Sequence, residues 1–417
     1  MKSRTLIALL LLAVTAPAWG QEYDFIRYDS NQLRYDSNAA PMQAFFDRWE
    51  RMIASGTGNI NIVHIGGSHV QAGTLPNTVR RRLTGAYPDR IGPRGMIFPY
   101  SAAARCNNPP DYRIHCFEKM LLNRCVAKEH PVPLGLCGIA VTATDSLAEV
   151  QVVLADTGID YATNRIVVLG HSDQQVVPLL RVGDRDLSPS YVDPRTDRYV
   201  FNLDAVGATD RARPHKGIDS FAVLLPCLEG QQFSLTGIYL GNRLAGVTYS
   251  SIGVNGAAVP DYLRCRHFVR DLRLLRPDLV VFGIGINDAS GPNFDTAVFR
   301  HNYLRLIDSI RTVNPDCAFV FVTNNDSFRK TGRRRYSVNT NGPLAREVFY
   351  RLAAETGGAV WDQFEIMGGL KSMDRWRLAK LAQTDRVHFT AAGYRLVGNL
   401  FSDALLKALS GHSGHTD

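Results

Sequence analysis

Between about residues 106 and 237 no run of the chain reads as a long helix, and this break in a helix-and-strand sequence restricts the fold more than any other feature. Short runs rich in β-branched and aromatic residues recur there, at 138–142, 149–154, 165–169, 199–203, 221–225 and 233–240. Gly, Pro, Asp and Asn fall between them. Short strands punctuated in this way pack as a β-sandwich or jelly roll.

On either side, helix and strand alternate. Met42, Phe45, Phe46, Trp49 and Ile53 stand at helical spacing and predict an amphipathic helix over 41–54. A strand over 59–65 follows, closed by Gly66-Gly67, and a helix over 70–83, so Ser68 sits at a tight strand-to-helix turn. Farther on, 279–284 is uninterruptedly apolar, as a parallel strand covered on both faces requires. Helices are expected over 296–313, 343–356 and 390–409, the second with proline near its start and the third capped by Thr390. Strands are expected over 318–323 and 358–361. This order predicts an α/β/α sandwich. Its two sequence segments, 21–105 and 238–417, are interrupted by a β domain at 106–237.

The first twenty residues read as a secretory signal peptide: basic Lys2 and Arg4, an apolar run over 6–14, and small residues before a cleavage point between Gly20 and Gln21. The mature chain is therefore expected outside the cytoplasm, periplasmic or secreted, and no later run has the length and apolarity of a membrane span. Removing Lys2 and Arg4 takes the formal net charge from +8 to +6. With no compact basic motif, nucleic-acid binding is not expected. Seven cysteines are compatible with export. Cys106, Cys116, Cys125 and Cys137 could form two bridges in an order left open, and Cys317 reads as a buried small hydrophobe. His412 and His415 fall in a polar tail and do not form a metal motif; no metal or cofactor is implied.

Four blocks fall where parallel strands end, the edge at which such sheets bind ligands. They are Gly66-Gly67-Ser68-His69, Ile252-Gly253-Val254-Asn255-Gly256-Ala257, Gly283-Ile284-Gly285-Ile286-Asn287-Asp288 and Asp385-Arg386-Val387-His388. Each alone also fits an ordinary turn. Glycine lets a backbone N–H face an oxyanion, an asparagine amide donates to one, and Asp and His three apart can reach the same site. Taken together and in this order, the blocks resemble those of the SGNH (GDSL-like) hydrolases. The resemblance implies a flavodoxin-like parallel sheet, Ser68 as nucleophile, His388 as base and Asp385 as its orienting group. It implies an oxyanion hole of Ser68, Gly256 and Asn287, with Gly253 an alternative to Gly256. Gly67 departs from the family, which usually has aspartate there. The long gap between the first and second blocks, filled by the β-rich segment, is similar to the bacterial peptidoglycan O-acetylesterases with an inserted carbohydrate-binding-like domain. That implies an exported serine esterase removing O-acetyl groups from a polysaccharide. The alternatives are an O-acetyltransferase with the same triad and a non-catalytic glycan-binding protein. Oligomeric state stays open.

Two other features compete for attention. Leu169-Gly170-His171-Ser172-Asp173-Gln174 approaches the nucleophile elbow of another hydrolase class but lacks its last glycine and a following helix. The run 329–336, with Arg333, Arg334, Arg335 and Tyr336, reads either as a solvated charge run or as a clamp for an anionic glycan, with Tyr336 stacking on sugar.

Overall fold

The computed structural model describes residues 22–102, 109–145, 147–155, 159, 161–204 and 217–413. Its frame is a six-stranded sheet centred on Asn59–Gly66. Gly246–Gly253 runs parallel to that strand on one side and Leu279–Gly283 on the other. Ala318–Val322 and Ala359–Trp361 continue in parallel, and Leu33–Arg34 closes the edge antiparallel. In chain order the parallel strands lie 2-1-3-4-5, the flavodoxin-like order, whose switch point falls between Asn59–Gly66 and Leu279–Gly283.

The apolar strands are uninterrupted because successive side chains enter different cores. Leu279, Val281, Ala318 and Val320 join Trp49, Val79 and Leu405 on one face. Val280, Phe282, Phe319 and Phe321 join Leu306, Val348 and Leu352 on the other. The second core runs on without a break into the β-rich segment, through Met96, Val141, Leu169 and Phe233.

That segment forms two antiparallel sheets, as its punctuated strands predict. One has five strands in the order Arg185–Leu187, Leu179–Val182, Ser220–Pro226, Leu147–Leu154, Tyr112–Cys116. The other is built around Arg165–His171 and Gln232–Gly241, and Gly95–Ile97 pairs with the latter. A buried ion cluster fastens the segment to the α/β frame: Arg80 reaches Asp111 at 2.9 Å, and Arg94 grips the same carboxylate oxygen.

Several local expectations need correction. The helix over 70–83 is two helices, Ser68–Gln71 and Thr74–Gly85, broken at Gly73 in the left-handed region (φ 78), where a Cβ would meet Pro109 at 2.4 Å. The last helix runs to Ser413, so His412 is not in a polar tail. It is buried against Phe46 and meets Asp47 at 2.8 Å. The six described cysteines are free, and Cys125 neighbours Cys265, which is not one of the four expected to pair. Cys317 is fully buried, as its apolar run predicts. The run 329–336 forms part of an antiparallel hairpin, Phe328–Gly332 with Arg335–Val338. Among the described residues no helix is long and apolar enough to cross a membrane. The expected signal peptide, Cys106 and His415 lie outside the described residues.

Candidate active site

Strand Asn59–Gly66 ends at the switch point, and Ser68 opens the short helix that follows. The other strand of the switch point ends at Gly283 and leads to Asn287. The loop before the last helix carries Asp385 and His388, with Thr390 Oγ1 accepting the Gly393 N–H at 3.2 Å as the expected cap. These three loops meet although the chain separates them widely. Ser68 Oγ lies 2.7 Å from His388 Nε2, and His388 Nδ1 lies 2.7 Å from Asp385 Oδ2. The other carboxylate oxygen of Asp385 accepts the N–H groups of Val387 and His388 at 2.9 and 3.0 Å. Partial burial works against ionisation of Asp385, but its hydrogen bonds from His388 and Val387 outweigh it and hold the carboxyl at about 2.

A cleft of about 450 Å³ opens beside this chain of bonds, lined by Ser68, Gly256, Asn287 and His388, with Asn255 and Gln383 at its margins. Gly256 has φ 84, a conformation that favours glycine, and a Cβ there would meet only Val126 Cγ1, at 4.0 Å. Val126 belongs to the β-rich segment, which therefore approaches the cleft at this glycine. Gly253 does not line the cleft. It is buried under the Ser68 turn, where a Cβ would stand 2.3 Å from the Gln71 nitrogen, and its carbonyl accepts from Tyr100 Oη. The amide of Asn287 is fixed by one bond, Nδ2 to Ala257 O at 2.9 Å, which leaves its second N–H available. A Cβ on Gly67 would stand 3.3 Å from this Nδ2 and 3.5 Å from Ala257 O. Here the position where the family usually has aspartate is closed over by the asparagine turn, and glycine fits.

Two further groups stand beside the four expected residues. Gln71, one helical turn after Ser68, is buried and accepts the Asn255 N–H at 2.6 Å, holding the Gly256 loop. His69 meets Tyr394 Oη at 2.9 Å, and its ring centre is 5.2 Å from that of His388. Burial, reinforced by His388, pushes His69 down to about 3, so it stays neutral beside His388. The two polar residues that follow Ser68 in its short helix, His69 and Gln71, were the available sequence signal; the partners come from distant loops.

Asp288 accepts the Val259 N–H at 3.1 Å and joins the asparagine turn to the helix that follows the Gly256 loop. Burial pushes its carboxyl up to about 7. A folded value above the unfolded one, about 4, means that the native state holds the proton longer. This group's contribution to stability therefore falls as pH rises from about 4 to about 7. Asp288→Asn keeps the shape without the ionisation. Its melting temperature relative to wild type is expected to rise across that window and level off above it. A pH-independent difference in thermal melts would show that Asp288 ionises at an ordinary value.

The competing elements lie elsewhere. Ser172 Oγ accepts from the Val176 N–H at 3.3 Å, and His171 bonds to Asp173 and Asp197 rather than to the serine. Arg333, Arg334 and Arg335 are exposed on the hairpin, and Tyr336 has the Arg386 guanidinium 4.7 Å above its ring. That stacking face is taken by protein, not offered to sugar.

The GDSL-like lipase/acylhydrolase family model matches residues 229–396. The match takes in the Gly256, Asn287 and Asp385–His388 blocks; Ser68 lies outside it, on the far side of the β-rich segment. A solved peptidoglycan O-acetylesterase superposes with a TM-score of 0.72 at 21% identity, over 91% of this chain and 99% of that one. A lipase/acylhydrolase from Enterococcus faecalis aligns with a TM-score of 0.31 at 24% identity, over 39% of this chain and 77% of its own. No curated protein matches the chain in sequence.

Proposed function

We propose that this chain, of which residues 229–396 match the GDSL-like lipase/acylhydrolase family model, is an exported carboxylic ester hydrolase that removes O-acetyl groups from a cell-wall or plant polysaccharide through an acetyl-serine. The observation that carries the proposal is the continuous bonding of Ser68, His388 and Asp385 at the wall of a cleft that also holds Gly256 and Asn287. Likeness over nearly the whole chain to a peptidoglycan O-acetylesterase supports the choice of acetylated glycan.

In this reading Ser68 Oγ attacks the acetyl carbonyl carbon as His388 Nε2 takes the hydroxyl proton. The carbonyl oxygen becomes an oxyanion facing the Ser68 and Gly256 N–H groups and the free N–H of Asn287. Collapse breaks the ester C–O bond, and His388 returns the proton to the departing sugar oxygen. Water then attacks the acetyl-serine, His388 again taking a proton, and acetate leaves as Ser68 regains its hydroxyl. Neutral His69 beside His388 places no second positive charge against the imidazolium that forms in each half-reaction.

Acetate release from acetylated peptidoglycan and acetylated xylan, without any added acceptor sugar, tests the reading directly. Acetate that appears only as an ester on an acceptor would make the protein a transferase. Asn287→Ala is expected to lower kcat by about 10²–10³ with little change in KM, as loss of a transition-state donor does. A change confined to KM would make Asn287 a substrate contact only.

A further inference from the structure

The hairpin Phe328–Val338 leaves the sheet just past Ala318–Val322, at the edge that carries the site. Its root is bonded to both flanking loops. The Phe328 N–H donates to Arg386 O at 3.1 Å, and Asn325 Nδ2 to Val387 O at 3.0 Å, within the Asp385–His388 loop. Asn339 Nδ2 donates to Ala289 O at 3.1 Å, beyond Asn287, while its oxygen accepts from Arg329. Arg386, in the left-handed region, is enclosed between the rings of Phe328 and Tyr336 at 5.1 and 4.7 Å and bonds Asp374 at 3.1 Å. The hairpin is thus a projection fixed on the loops that bring His388 and Asn287 to the cleft.

Its outer part carries Lys330, Arg333, Arg334 and Arg335, all exposed. The root cations Arg329 and Arg386 are satisfied by protein partners; among the described residues these four have no ion pair. A fixed projection with four adjacent unneutralised cations raises the local concentration of a polyanion, although a single exposed pair contributes little.

We propose that this hairpin is a binding subsite for the carboxylates of an acidic polysaccharide, holding the polymer beside the cleft while an O-acetyl group enters it. The proposal deepens the acetylesterase reading and rests on it for the nature of the polymer. Carboxylates could be carried on peptide stems, as in peptidoglycan, or on the sugars themselves, as in a uronan; the chemistry recognised is the same.

The test measures binding by co-sedimentation to sacculi whose O-acetyl groups have been removed by base, so that it does not depend on catalysis. Arg333→Ser/Arg334→Ser/Arg335→Ser is expected to weaken binding about tenfold at low ionic strength. Raising NaCl to about 0.5 M, where screening is strong, should erase the difference. The Arg→Lys triple variant, which keeps the charge, should bind like wild type. Binding to sacculi but not to glycan strands stripped of their stems by an amidase assigns the carboxylates to peptide. Preference for a soluble uronan assigns them to sugar. With acetylated polymer, the serine variant should lose about tenfold more kcat/KM than it loses with p-nitrophenyl acetate. Undiminished binding by the serine variant, or equal binding of wild type to neutral xylan, would overturn the subsite. If no acetylated glycan releases acetate while charge-dependent binding persists, the esterase reading fails and the subsite stands.

Discussion

Ser68→Ala is expected to lower kcat on p-nitrophenyl acetate by about 10⁴–10⁶, the scale on which nucleophile deletions act when a triad works as a unit. The side chain's bond is to His388, so the fold loses one hydroxyl contact and no buried volume. Melting temperature should stay close to wild type, separating loss of chemistry from loss of structure. In the proposed mechanism Ser68 and His388 act as one device, so Ser68→Ala combined with His388→Ala should cost little more than either alone. Ser172→Ala should be nearly silent, since its hydroxyl only closes a local turn in the β-rich segment. Near-normal turnover in Ser68→Ala, or a collapse in Ser172→Ala, would reverse the assignment.

The second large effect separates the proposed base, His388, from its proposed orienting group, Asp385. His388→Ala removes the proposed proton acceptor and should match Ser68→Ala. Asp385→Asn should be milder, about 10⁴ in kcat. Asp385 receives two backbone N–H groups on one oxygen and the ring Nδ1–H on the other. An asparagine that keeps its oxygen on the backbone donors turns its NH₂ toward Nδ1. The ring must then carry its proton on Nε2, where it cannot accept one from Ser68. The wild-type carboxyl lies at about 2, so it stays ionised through the ordinary assay range and its own titration does not set an acid limb above about pH 3. Wild-type kcat in Asp385→Asn, measured at saturating substrate, would mean that another group orients His388.

Legibility in the sequence followed the range of the interaction. Strand 279–283 declares itself through an unbroken apolar run and the helix opening at Ala40 through periodicity, both of which depend only on neighbours in the chain. The strand-end positions of Ser68, Asn287 and His388 are local too, because each follows a recognisable strand or precedes a recognisable helix. The punctuated strands of the β-rich segment were equally plain, but not their pairing, which places Gly95–Ile97 on Gln232–Gly241 across more than a hundred residues.

What tertiary structure alone decided is which side chains meet. Gly253 and Gly256 read alike in sequence. Strand Gly246–Gly253 buries the first against Gln71, whereas the loop beyond it turns the second, at positive φ, into the cleft. His69 became a neighbour of His388 only when the last helix brought Tyr394 to hold it. The arginine run became a fixed projection because Phe328 and Tyr336 close on Arg386, which is distant in sequence. Periodicity records which face of an element is buried; it does not record the partner, because a partner from elsewhere in the chain leaves no mark on local spacing.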